Sequence, residues 1–328
     1  MSETSGDSPT NPTSEFPPPR TDSAWHGILY GSNGLRAGWR LSIFGGMIGG
    51  PYLFIVWIGR MLTKGLPSQS PAAAGHITPM MIGFGEMLTF GFAVFVTGIM
   101  GLIENRSYAH YGLPWRKPFP KKFWAGALWG FVSISALIGM IAAGRGFRVE
   151  GLAAHVGAAL IAAAEWAFVF LFVGLFEEFF FRGYMLFTLT TGIGFWPSAI
   201  LCAAFFAYAH TGNPGETAFG IAQVALFGVF ASLVLQRTGT LWWPIGFHAA
   251  WDWGQTYFYG VPDSGLPATS PLLRTVFHGP KWLTGGPTGP EASVFSLVVL
   301  IAAIALVART YRSVHYPDPD ALGPRPRG

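Results

Sequence analysis

The chain has 328 residues, of which 51% are hydrophobic and only 11% charged, with a mean hydropathy of +0.41. A soluble domain carries about 25% charged residues, so water is not the main solvent for this surface. The single cysteine excludes an internal disulfide and a cysteine-rich zinc site, and a net charge of +4, with basic residues in loops beside apolar runs, argues against nucleic acid as a partner.

In chain order, residues 1–24 are rich in Pro, Ser, Thr, Asp and Glu and read as a disordered tail. No apolar core follows Met1, so this stretch is not a cleaved secretory signal, and the first membrane helix is expected to act as a signal-anchor. A helix needs about 20 apolar residues to cross the hydrocarbon core. Eight segments qualify as candidates: Leu41–Gly59, Met80–Ile103, Phe123–Ala143, Val156–Leu189, Trp196–Tyr208, Ala218–Leu235, Leu241–Phe258 and Val294–Val307. The fourth is too long for a simple crossing. At 1.5 Å per residue it would reach about 51 Å, so it must tilt, project from the bilayer or bend near Gly183. The expected fold class is all-α, a polytopic transmembrane helical bundle of about eight membrane helices.

Loop charges orient it. Arg106, Arg116, Lys117, Lys121 and Lys122 follow the second segment and place that loop in the cytoplasm. Arg20, Arg36, Arg40, Arg237, Arg309 and Arg312 then fall on the same side, with both termini inside, while Arg145 and Arg148 break the pattern. The expected organisation is a tail (1–24), N-terminal transmembrane segments (25–120), a core (121–260), an extramembrane loop (261–290), a last transmembrane helix (291–312) and a C-terminal tail (313–328). Trp242-Trp243-Pro244 reads as an interfacial belt, Gly45-Gly46 and Gly49-Gly50 as sites of close helix packing, and Cys202 as a small packing residue.

Charges at the bilayer centre cost about 2.5–3.5 kcal/mol each on insertion scales, so ionisable residues there are functional candidates. The densest group is Glu177-Glu178-Phe179-Phe180-Phe181-Arg182. Glu178 and Arg182, at i and i+4, share a helix face and can pair. Glu177 lies about 140° around the axis from Arg182 and stays available as a general base. Phe206-Ala207-Tyr208-Ala209-His210 ends the fifth segment. In the seventh, His248 and Asp252 are again i and i+4, so the carboxylate can fix the imidazole or meet a substrate directly. Together the three groups can activate a water and stabilise an oxyanion, or hold a divalent metal such as zinc through His210, His248 and one glutamate. HExxH, the Glu-x-x-His pair of di-iron bundles and the GxSxG elbow are all absent. Glu86 and Glu165, also within apolar segments, are assigned structural or accessory roles.

Glu177-Glu178-x-x-x-Arg182, then Phe206-x-x-x-His210, then His248-x-x-x-Asp252 resemble, in order, the three motifs of the CPBP (CAAX protease and bacteriocin-processing) intramembrane proteases. That family includes the type II CAAX prenyl endopeptidases and bacterial relatives linked to bacteriocin immunity. The resemblance covers roughly residues 120–260. It implies a multi-pass protein of the cytoplasmic membrane, in a prokaryote, that cleaves a peptide or protein substrate at the lipid bilayer. Carried over, Glu177 is the water-activating base with His210 beside it. His248 and Asp252 stabilise the oxyanion, and Glu178 and Arg182 position the others. In a metal-assisted version Glu177, His210 and His248 are the ligands; a metal-free glutamate mechanism is the other option. Two further readings stay open on the residues alone: a proton-coupled transporter or channel using the same groups as a relay, and a non-catalytic immunity or scaffold protein on the same frame.

Overall fold

In a computed structural model of the protein, residues 24–31, 34–62, 78–114 and 119–317 are described. The expected N-terminal tail lies outside them, apart from its last residue. A short helix, α1 (Ala24–Leu29), and a two-stranded ribbon, β1 (Tyr30–Gly31) with β2 (Gly34–Leu35), lead into the long helices α2 (Ala37–Leu62), α3 (Pro79–Glu104) and α4 (Phe119–Ala143). A strand, β3 (Phe147–Leu152), precedes α5 (Val156–Glu178), which runs through a π-helical turn, Phe179–Met185, into α6 (Leu186–Ile193). Then come α7 (Phe195–Ala209), α8 (Ala218–Thr238) and α9 (Trp242–Trp253), followed by a second π turn at Gly254–Phe258. Strand β4 (Leu273–Phe277), a one-turn helix α10 (Lys281–Thr284) and α11 (Val294–Thr310) complete the chain.

The ends of these helices follow local chemistry. Thr78 caps α3 by accepting from the Met81 amide at 3.3 Å, Pro79 occupies the first turn, and Asn105 closes the helix at φ 55°. Thr217 caps α8 in the same way, at 3.0 Å from the Gly220 amide, and Gly239 at φ 68° ends it. Of the three options for the over-long fourth segment, a bend is present at Gly183, whose φ and ψ of −83° and −113° leave the helical region inside the π turn.

All eight expected segments are helical. Four helical stretches are long and apolar enough to cross a membrane: Pro79–Glu104, Lys121–Ala143, Val156–Ile193 and Ala218–Thr238. Phe195–Ala209 and Val294–Thr310 are apolar but shorter, and the segments in α2 and α9 are in neither group, so length and composition support four of the eight expected crossings among the described residues. Large apolar side chains point away from the protein along these helices, including Leu88, Phe95, Leu102, Trp124, Leu128, Leu160 and Ile200. A continuous outward apolar surface of this kind needs lipid as its solvent. The protein is an integral membrane protein with a polytopic helical fold.

Two sequence expectations are corrected by the packing. Trp242 and Trp243 do not form an interfacial belt, being 4% and 1% exposed. Trp242 donates its indole N–H to the Pro114 carbonyl at 2.9 Å, and Trp243 stacks on Phe247. Trp242 thus satisfies its N–H inside the protein, whereas the Trp243 N–H has no hydrogen-bond partner among the described residues and its burial rests on ring packing. Nor do Gly45, Gly46, Gly49 and Gly50 bring helices together, since a Cβ on any of them meets no atom within 4 Å. Close approach occurs instead between α4 and α9. A Cβ built at Gly126, Gly130 or Gly246 would fall on the carbonyl oxygen of Trp243, Phe247 or Phe123 respectively. Gly126 and Gly130 form a GxxxG pair, so the two backbones touch. Gly130→Ala is expected to lower the melting temperature of the purified protein, costing about 1–3 kcal/mol through forced separation of two backbones. Gly46→Ala should leave it unchanged.

The expected extramembrane loop at 261–290 is folded. Strand β4 within it pairs antiparallel with β3, from Phe147 opposite Phe277 to Leu152 opposite Leu273, with a bulge between Val149 and Gly151. Arg148, which broke the loop-charge pattern, faces Glu150 at 3.2 Å on the same strand, and Arg274 of β4 stands 3.9 Å from that carboxylate across the ribbon. A short ribbon spaced so far apart in sequence carries no helical periodicity that could announce it.

Candidate active site

The site forms where the C-terminal end of α5 meets α9 and α7. Gly174, one turn before the glutamates, lets α9 come close: a Cβ there would lie 3.2 Å from the Ile245 carbonyl and 3.6 Å from the His248 Cβ. This approach puts His248 against both glutamates. Glu178 is fully buried, and one of its oxygens accepts from Arg182 at 3.2 Å and from His248 Nδ1 at 3.0 Å. The other ring nitrogen, Nε2, stands 3.5 Å from Glu177 and 3.5 Å from Asp252. One imidazole is thus bracketed by carboxylates from two helices. The i,i+4 pairings expected for Glu178–Arg182 and His248–Asp252 are both present.

Arg182 is itself fully buried and lies 4.2 Å from the Phe206 ring centroid, with Phe181 and Phe227 at 5.8 and 6.0 Å. A cage of aromatic faces suits a guanidinium that hydrogen-bonds a single carboxylate. Gly228 makes the cage possible, because a Cβ there would stand 2.9 Å from Arg182 and 2.8 Å from the Ala203 Cβ.

His210 ends α7. Its Nδ1 donates to the Phe206 carbonyl at 2.7 Å, since a carbonyl can only accept. That fixes the tautomer and leaves the Nε2 lone pair for the cavity. The cavity has a volume of 70 Å³ and is lined by His210, His248, Asp252, Phe206 and Phe227 together with residues of the 254–292 region. It is large enough for several waters, each needing about 10–15 Å³. Glu177, with 21% of its side chain exposed, is not among the residues that line the cavity; it meets His248, which does, at 3.5 Å. Glu86, on α3, lies within electrostatic reach of Glu177.

Sequence reasoning missed Asp263, Ser264 and Glu291, which also line the cavity. Gln255 ties them together, donating to the Pro262 carbonyl at 2.7 Å, to Asp263 at 3.4 Å and to Glu291. Thr256 donates to Asp263 at 3.2 Å, and the Ser264 amide to Glu291 at 2.6 Å. The only sequence signal was turn chemistry, Asp263-Ser264-Gly265, closed by the Asp263 and Leu266 backbones bonding to each other. Burial pushes the Asp263 carboxyl up to about 7, and burial together with Asp263 pushes Glu291 well above the carboxylate range. The groups facing Asp263 are Glu291, Asp252, His248 and Glu177. An acid whose folded pKa exceeds its unfolded value near 3.8 is a source of stability at low pH that is lost as pH rises through about 7. The melting temperature in detergent should therefore climb as pH falls from about 8 to about 5, and Asp263→Asn should flatten that slope.

The proposed ligand set Glu177, His210 and His248 does not fit a metal ion. Among the described residues no three His, Cys, Asp or Glu side chains are gathered as donors would be.

No curated protein and no solved structure matches the chain. Residues 159–254 match the family model described as type II CAAX prenyl endopeptidase Rce1-like, a stretch that runs from the first turn of α5 to just past α9 and holds every one of Glu177, Glu178, Arg182, His210, His248 and Asp252. Over residues 159–254, less than a third of the chain, the polytopic helical bundle is therefore similar to the type II CAAX prenyl endopeptidase Rce1-like family.

Proposed function

We propose that this protein is an intramembrane endopeptidase that hydrolyses a peptide bond of a membrane-associated peptide or protein. The observation that carries the reading is His248, held by Glu178 on one nitrogen and facing Glu177 and Asp252 with the other, at the wall of a cavity that His210 also lines. As an imidazolium, His248 donates from both nitrogens. Glu177 takes a proton from a water, which attacks the scissile carbonyl carbon. His248 Nε2–H, braced by Asp252, stabilises the oxyanion, and the proton held by Glu177 passes to the leaving amine as the C–N bond breaks. Glu178 and Arg182 position His248 and touch no substrate. His210, with its Nε2 lone pair towards the cavity, orders the attacking water. In this reading the steps run through side chains alone.

Residues 121–260 form the catalytic unit in this reading, and the basic ends that hold Arg40, Arg106, Arg237 and Arg312 lie on the cytoplasmic side of a prokaryotic plasma membrane. The test is cleavage of a prenylated CAAX peptide and of membrane-anchored peptides by the purified chain in vesicles, with products read by mass spectrometry. His248→Ala should lower turnover by about 10²–10³-fold, the usual loss for an oxyanion donor. Ion flux without cleavage, lost in the same variant, would instead mark a transporter.

A further inference from the structure

The cavity and a cluster of basic residues lie at opposite ends of the same helices. On α8, Gln223 and Phe227 line the cavity in the first half of the helix, and Arg237 stands in the last turn. On α11, Ser296 and Leu300 line it near the start, and Arg309 stands in the last turn. Helices α7 and α9 run the other way and present their C-terminal ends, Phe206 and His210 on one, His248 and Asp252 on the other. At 1.5 Å per residue, Gln223 is about 21 Å along the axis from Arg237, and Ser296 about 20 Å from Arg309. That is about two thirds of the hydrocarbon thickness of about 30 Å.

Contacts between elements tie the basic end together. Arg40 near the start of α2 pairs with Glu104 at the end of α3 at 2.9 Å, and Lys122 near the start of α4 lies 4.6 Å from the ring centroid of Tyr311, just past α11. Arg237 donates to the Arg312 carbonyl at 2.6 Å, and the Phe195 ring at the start of α7 packs on Tyr316 at 4.7 Å. The cavity end has a different character. Its wall holds Asp252, Asp263 and Glu291 and no Lys or Arg. Arg148 and Arg274 at that end both stand against Glu150, and Arg145 and Lys281 lie nearby in the chain.

Lys and Arg beside membrane helices gather on the cytoplasmic side. We propose that the catalytic cavity opens away from the cytoplasm, and that its substrate is a peptide segment of a membrane-anchored chain presented at the outer face. The substrate half of this rests on the peptidase reading above; the sidedness does not. A tail confined to the cytoplasm would meet the bundle about 20 Å from the cavity.

The test places single cysteines in the full chain and treats spheroplasts of a bacterial host with a membrane-impermeant maleimide. Leu266→Cys and Thr211→Cys sit at exposed positions beside the cavity, the first following Asp263 and Ser264 and the second following His210. Val314→Cys is exposed at the basic end. Cys202 is buried, so the wild type serves as the unlabelled control. Leu266→Cys and Thr211→Cys should be labelled in intact spheroplasts, and Val314→Cys only after permeabilisation. The reverse pattern overturns the proposal, and so does labelling of Val314→Cys in intact spheroplasts or protection of both cavity-side cysteines. A membrane-anchored peptide supplied from outside should be cleaved by intact spheroplasts, and cleavage confined to a peptide delivered on the cytoplasmic side overturns the substrate assignment. Labelling does not depend on turnover. A chain that carries the expected labels and cuts no peptide from either side therefore sinks the peptidase reading and leaves the sidedness standing.

Discussion

Glu177→Gln is expected to reduce peptide cleavage by about 10²–10⁴-fold, the contribution of a positioned general base, while the protein folds and melts as the wild type does. The substitution keeps the side chain's shape and removes only its capacity to take a proton. Little stability is at stake, because Glu177 is 21% exposed and its contact to His248 is a long one of 3.5 Å. Surface-like substitutions of this kind stay within about 0.5 kcal/mol. The comparison that decides is turnover against melting temperature in one preparation. Should Glu177→Gln keep more than a tenth of wild-type turnover, the base lies elsewhere. His210 is then next in line, since its Nε2 lone pair faces the same cavity.

Glu178→Leu should have the opposite profile, a large loss of stability along with activity. Glu178 and Arg182 are both fully buried and bonded to each other at 3.2 Å. Removing the carboxylate leaves a guanidinium without a counterion among Phe181, Phe206 and Phe227, which costs about 3–5 kcal/mol. The double variant Glu178→Leu with Arg182→Leu removes both charges and should regain most of that stability. Activity should not return with it, because His248 has then lost the acceptor for Nδ1 and its ring is free to turn. Thermal melting of the wild type, both single variants and the double variant gives the coupling energy directly. Full activity in the double variant would remove Glu178 from its positioning role.

Much of this site could be read from spacing. Glu178–Arg182 and His248–Asp252 sit four residues apart on helices, and a helix puts such pairs on one face whatever surrounds it. The bend at Gly183 was legible because a continuous apolar run outgrew the bilayer, and length is a property of the chain itself. The contact of His248 with both glutamates was not legible. It depends on how closely α9 approaches α5, which is set by Gly174 meeting the Ile245 carbonyl, an event between residues 70 or so apart in sequence. Trp242 and Trp243 were misplaced for a related reason. Interfacial and buried tryptophans have the same neighbours in sequence, and what separates them lies across the fold, the Pro114 carbonyl for Trp242 and the Phe230 ring for Trp243.

The sequence by itself determined that this protein lives in lipid and which ionisable groups travel on which helices, because burial cost and helical periodicity act on each segment alone. Tertiary structure decided what those groups face. It closed the cavity with Asp263, Ser264 and Glu291 from a stretch without periodicity, and set His248 against both Glu177 and Glu178. Both outcomes turn on distances between segments that touch only after the helices have packed, and a linear pattern holds no record of those.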